Sequence, residues 1–241
     1  MACHFARWNA TPTQINTRRL HNDLIANTAT FSAKRRRRFL QGRILLAEMM
    51  FNLYGLVTLP PIATTPSGRP CFADTHLPDF SLAYAGNTVG VLLSHKGKVG
   101  LDIEVVRARC NNQQALQYQY QSPAELAWIS AQDDRLQAET QLWSIRQSVL
   151  KVSGLGNSGQ STLSLRPFSA QLRSSASPNV QVMSDADEYQ SWACAHESTL
   201  TQLICWHYEP QRGLERSGEI SPHSSATSLH FMKLSGLANH R

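Results

Sequence analysis

The sequence lacks what a stapled, membrane-spanning or disordered chain would need. Its five cysteines (Cys3, Cys71, Cys110, Cys194 and Cys205) are odd in number, scattered and without a C-x-x-C pair. That argues against both a disulfide framework and a zinc site and leaves reduced thiols. No apolar run approaches the roughly 20 residues of a membrane-spanning helix; the longest, Ile44 to Leu46 and Met49 to Phe51, is interrupted by Glu48. The N-terminal MACHFARWNATPTQ has no apolar core of a secretory signal, so a cytoplasmic location is expected. Repeats and low-complexity tracts are absent from the body.

What remains is an ordinary globular composition, 41% apolar, 17% charged and 8% aromatic. A chain of 241 residues suits one large domain or two lobes of roughly 100 residues each. Lys and Arg number 23 against 17 acidic residues, a formal charge of +6, so anionic partners are expected: nucleic acid, a phosphorylated small molecule or an acidic protein.

Helical spacing of Phe39, Leu40, Ile44, Leu45, Met49 and Leu53 predicts a helix from Ser32 to Leu53, capped by Ser32. A loop, VTLPPIATTPSGRPCF, follows, with regular structure expected only briefly near Cys71 and Phe72. Short strands are expected at Phe80 to Tyr84, Thr88 to Leu93 and Val99 to Val105, the last two joined as a hairpin through SHKGK. Ser122-Pro123-Ala124-Glu125 has capping-box spacing and opens a helix to about Ile129; a longer one runs from Arg135 to Val152, stopped by Gly154 and Gly156. Strands at Leu163 to Leu172, Val180 to Met183, Trp192 to Ala195 and Leu203 to Tyr208 complete the pattern, with a poorly ordered tail from Glu209.

Four features carry chemistry. In Gly100-Leu101-Asp102-Ile103-Glu104, strand alternation puts Asp102 and Glu104 on one face and Leu101 and Ile103 on the other. Such paired carboxylates suit Mg²⁺, although a bare D-x-E is more often a solvated face. In LWSIRQSVLKV, Leu142, Ile145, Val149 and Val152 form a buried stripe, while Trp143, Gln147 and Lys151 line another face. Lys34-Arg35-Arg36-Arg37-Arg38, followed by Gly42-Arg43, opposes the helix dipole and calls for an anionic counterpart or for cations fanning into solvent. No aromatic platform accompanies it, which makes nucleic acid a poor partner. Gly68-Arg69-Pro70 holds a guanidinium at a fixed point, or is a plain turn.

In order and spacing, G-R-I-L-L (Gly42 to Leu46), GRP (Gly68 to Pro70), GLDIE (Gly100 to Glu104), SPAE (Ser122 to Glu125) and W-S-I-R-Q-S-V-L-K (Trp143 to Lys151) resemble the two-lobed, surfactin-synthetase-activating type of 4'-phosphopantetheinyl transferase. The resemblance implies an α+β fold of two pseudo-twofold-related lobes, each a small antiparallel sheet with a packed helix. The lobes would span residues 1–98 and 99–208, followed by the tail 209–241. It implies coenzyme A and Mg²⁺ in the cleft and transfer of the phosphopantetheine arm to a serine of an acyl or peptidyl carrier protein, releasing adenosine 3',5'-bisphosphate. By similarity, Asp102 and Glu104 are metal ligands and Lys151 the site lysine. Arg43 and Arg69 stand at coenzyme A phosphate positions, with Arg38 as a looser contributor. A monomer without nucleic-acid or membrane partners is expected.

Two positions depart from the family pattern. Ala83-Tyr84 replaces a Ser-His whose histidine binds a coenzyme A phosphate; Tyr84 keeps a hydrogen bond but brings no charge. Arg146-Gln147 replaces a Lys-Glu whose glutamate is both metal ligand and presumed base. An amide takes up no proton at neutral pH, which leaves Asp102, Glu104 or a metal-bound hydroxide as base. Three readings follow: a transferase of reduced or specialised activity, a relative that binds coenzyme A or a carrier protein without transfer, and a nucleic-acid-binding protein.

Overall fold

A computed structural model of the chain describes residues 2–10, 15–107, 118–221 and 230–236. The order is β1 (Ala2–Asn9), α1 (Asn22–Ala26), α2 (Ala33–Tyr54), β2 (Ile62–Thr64), β3 (Pro70–Phe72), β4 (Asp79–Ala85), β5 (Thr88–Ser94), β6 (Val99–Val105), α3 (Pro123–Ser130), α4 (Arg135–Ser153), β7 (Leu163–Arg166), β8 (Gln171–Ser174), β9 (Gln181–Ala186), β10 (Gln190–His196), β11 (Gln202–Glu209), β12 (Gly213–Ile220) and β13 (Met232–Gly236).

The fold is α+β. A five-stranded sheet, β12-β11-β1-β5-β4, and a six-stranded sheet, β6-β10-β9-β13-β8-β7, each carry one long helix, and β2 with β3 forms a small separate ribbon. Pairing is antiparallel except between β1 and β11 and between β13 and β8.

Alternation along each strand divides the apolar side chains into three layers. Val91 and Leu93 pack beneath Ile44, Leu45 and Met49 of α2. Leu92 points the other way, joining Phe5, Leu101, Ile103 and Cys194 between the two sheets. Ala193 and Ala195 lie under Ile145, Val149 and Val152 of α4. The result is helix, sheet, sheet, helix, with the expected α4 stripe buried throughout.

The long helices begin and end as their sequences dictate. The Ser32 hydroxyl accepts from the Arg35 N–H, and Gly55 closes α2 with φ 71°. Ser122 and Glu125 complete a capping box on α3, Asp134 caps α4, and Gly154 ends it with φ 74°.

Several expectations are corrected. β5 and β6 do not form a hairpin: both edges of β5 are taken, by β1 and β4, so the chain crosses to the other sheet and β6 pairs with β10. Pro167 interrupts the strand expected at Leu163 to Leu172, and Ala170 turns the chain with φ 53°. Within the stretch expected to be a poorly ordered tail, β12 extends the first sheet beside β11, and β13 inserts between β9 and β8. The strand β1 has no counterpart among the elements expected from the sequence.

Candidate active site

The two sheets meet where β4 runs against β6, and this seam builds the site. The β6 edge facing β4 is capped by side chains rather than a ladder: the Val99 N–H donates to Asp79 (2.7 Å) and the Leu101 N–H to the Ser81 hydroxyl (2.9 Å). α4 lies directly on β6 because Gly100 has no side chain; a Cβ there would stand 1.9 Å from the Ser148 carbonyl oxygen.

That close approach carries Lys151 to the seam. Its Nζ donates to Asp102 Oδ1 (2.8 Å) and the Leu101 carbonyl (2.7 Å), with the Leu82 carbonyl at 3.5 Å. Asp102 is buried, Glu104 is half-buried two residues on, and Leu101 and Ile103 belong to the inter-sheet core, the division strand alternation predicts.

Trp143, Gln147 and Lys151 are half-buried among fully buried neighbours on α4. Gln147 and Lys151 line a cavity of about 370 Å³ with Leu82, Leu150 and the Gly68-Arg69-Pro70 turn. Gln147 Nε2 makes no hydrogen bond among the described residues. Arg146 points away from this cavity and is 2% exposed; it donates to Glu125 (2.6 Å) and the Leu163 carbonyl (3.0 Å), tying α3 to α4. Sequence reasoning missed this pair. The signal was present, because SPAE supplies a carboxylate and the α4 motif an arginine within one mostly apolar packing layer.

Arg69, on the wall of the same cavity, is already engaged by protein groups. Its guanidinium forks onto both oxygens of Asp79, donates to the Val99 carbonyl (2.7 Å), and through Nε to the Lys151 carbonyl (3.0 Å). It staples the turn, β4, β6 and α4 together on the cavity wall.

Two residues beyond Leu82 on β4, Tyr84 belongs to a second cavity of about 390 Å³, walled also by Lys34, Arg35, Arg38, Phe39 and Arg43. Its hydroxyl is seated where Gly42 lacks a side chain: a Cβ on Gly42 would lie 2.0 Å from the oxygen. Arg43 stands 3.5 Å from that hydroxyl and stacks on Phe39 at 4.0 Å; Arg38 lies 5.9 Å from the Tyr84 ring centre. Burial raises the Tyr84 pKa against the opposing pull of Arg43 and Arg38, so the phenol keeps its proton and can donate.

Asp102 and Glu104 offer hard oxygen donors on one strand face, and no cluster of three His, Cys, Asp or Glu side chains occurs among the described residues. Such a donor pair fits Mg²⁺, which keeps several waters and takes phosphate oxygens, and does not suit zinc.

The profile of the 4'-phosphopantetheinyl transferase superfamily matches residues 98–209. The chain is 31% identical over 174 residues to a putative 4'-phosphopantetheinyl transferase of Haemophilus influenzae, covering 68% of this chain and 72% of that protein. The chain belongs to the 4'-phosphopantetheinyl transferase superfamily. It is also 35% identical over 241 residues to the uncharacterized protein YieE of Escherichia coli K12, covering 99% and 97% of the two. With the 4'-phosphopantetheinyl transferase AcpT of Salmonella typhimurium it shares 33% identity over 122 residues, 50% of this chain and 60% of that one. The superfamily match contains Asp102, Glu104, Gln147 and Lys151; Arg38, Arg43, Arg69 and Tyr84 lie before it. No helix among the described residues is long and apolar enough to cross a membrane.

Proposed function

We propose that the protein transfers the 4'-phosphopantetheine arm of coenzyme A to a serine of an acyl or peptidyl carrier protein, with Mg²⁺ held by Asp102 and Glu104. The observation carrying this reading is the Lys151–Asp102 pair at one cavity on β4, with the Arg- and Lys-lined cavity two residues further along the same strand. The new bond joins the serine oxygen to phosphorus, the pyrophosphate bond breaks, and adenosine 3',5'-bisphosphate departs. When bound, Mg²⁺ neutralises charge on the pyrophosphate. Lys151 stabilises charge on the transferring phosphoryl group. Arg43, Arg38 and the Tyr84 hydroxyl grip a coenzyme A phosphate, and Arg69 fixes the Lys151 backbone. Gln147 lends a hydrogen bond but no base, so the serine proton goes to Asp102 or Glu104.

Incubation with coenzyme A, Mg²⁺ and a panel of apo carrier proteins tests the reading by intact mass. Addition of the arm to at least one carrier is expected; none, where a control enzyme modifies its carrier, overturns it. The Gln147 amide favours a second reading, binding of coenzyme A or a carrier without transfer. Activity found only after Gln147→Glu and Tyr84→His would select it.

A further inference from the structure

The arginine-rich start of α2 serves two cavities, and the proposed transfer uses one. Arg35, Arg38 and Arg43 turn toward Tyr84. Lys34, Arg37, Arg38 and Gln41 stand at i, i+3, i+4 and i+7 and so form a second stripe on the same helix. This stripe faces the β4–β5 turn and encloses a cavity of about 90 Å³ bounded by Asn87 and Thr88.

The groups around it are donors. No lining residue is acidic. Arg37 is half-buried and has no ion pair or hydrogen bond among the described residues. Gln41 is 4% exposed, yet its amide has no hydrogen-bond partner among the described residues and lines the cavity. Its polar atoms are open to the cavity rather than sealed in the interior, so the amide is available to an occupant there.

We infer that this is a second anion site, taking a single phosphate group between Lys34, Arg37, Arg38 and Gln41. Cations alone would attract any anion; the neutral amide beside them adds a directional donor for one of the several acceptor oxygens of a tetrahedral oxyanion. The space is too small for a nucleoside, so only a phosphate enters, whether free or as one end of a nucleotide lying outside. The inference stands independently of the transfer reading.

Titration of the ¹⁵N-labelled full chain with inorganic phosphate, against chloride at matched ionic strength, tests it. Saturable shifts are expected at the Gln41 side-chain amide and at the Asn87 backbone amide. Phosphate affinity read there falls about three- to tenfold in Gln41→Leu, the worth of one hydrogen bond, and in Arg37→Gln, whereas Arg35→Gln leaves it unchanged. The half-exposed Arg37 keeps the test decisive if the Leu variant folds poorly. Adenosine 3',5'-bisphosphate binding more tightly than phosphate at these two amides would identify a nucleotide source; equal or weaker binding would identify free phosphate, and both support the site. Non-saturating shifts, an equal response to chloride, or unchanged affinity in both Gln41→Leu and Arg37→Gln overturn it.

Discussion

At the scale of single residues, Gln147 differs from a glutamate by one functional group, and that group decides whether a proton can be taken up beside Lys151. Gln147→Glu is therefore expected to raise the single-turnover transfer rate by less than the ~10²–10⁴-fold usual worth of a general base, because Asp102 or Glu104 already takes the proton; a gain of the full factor would mean that neither does. A second prediction concerns the seat of Tyr84. Gly42→Ala places a methyl against the phenol oxygen and should cost about 1–3 kcal/mol by overpacking, measured by urea unfolding. In a Tyr84→Ala background the same change should be neutral or stabilising, since alanine favours helix over glycine. The faces that carry Asp102 and Lys151 were legible beforehand, from strand alternation and the i, i+4 helix step; that the two side chains pair was not. Nor was the engagement of Arg69. Its partner Asp79 lies ten residues away in a strand whose position depends on the whole fold.

At the scale of elements, α3 is held to α4 by one buried ion pair, and its strength is a matter of what is left behind when it breaks. Arg146→Met strands the Glu125 carboxylate in the interior and should destabilise the protein by about 3–5 kcal/mol, read from thermal or urea unfolding. Adding Glu125→Gln should recover part of that loss, because a neutral amide is less costly to bury. Helices, caps and most strand centres could be read from the sequence, since spacing and capping residues are local. Which strands pair could not. SHKGK looks like a hairpin loop, but β1, from a segment with no clear periodic signal, occupies the edge of β5 that such a loop would have offered to β6.

At the scale of the whole molecule, the C-terminal strands are structural members. A chain ending at Ser221 loses β13, which bridges β9 and β8. It should unfold at lower temperature and expose the β7–β8 pair to limited proteolysis; an unchanged melting temperature would contradict this. The layer between the sheets also sets an alkaline limit. Burial pushes the Cys3 thiol up to about 11 from 9.0, with the Ser94 hydrogen bond opposing it. The folded state thus retains a proton that the unfolded chain releases, so this contribution to stability is whole below pH 9 and is lost as pH rises toward 11. Cys3→Ala should flatten the decline in unfolding free energy over that window. The two-layered sandwich itself was not written in local pattern, because membership of either sheet is settled by contacts between distant segments. β1 shows what this means for synthesis. It lies inside its sheet with β11 as one neighbour, so a ribosome must release nearly the entire polypeptide before that place can be filled, and assembly is expected to be post-translational, slow and dependent on keeping the nascent first strand soluble until then.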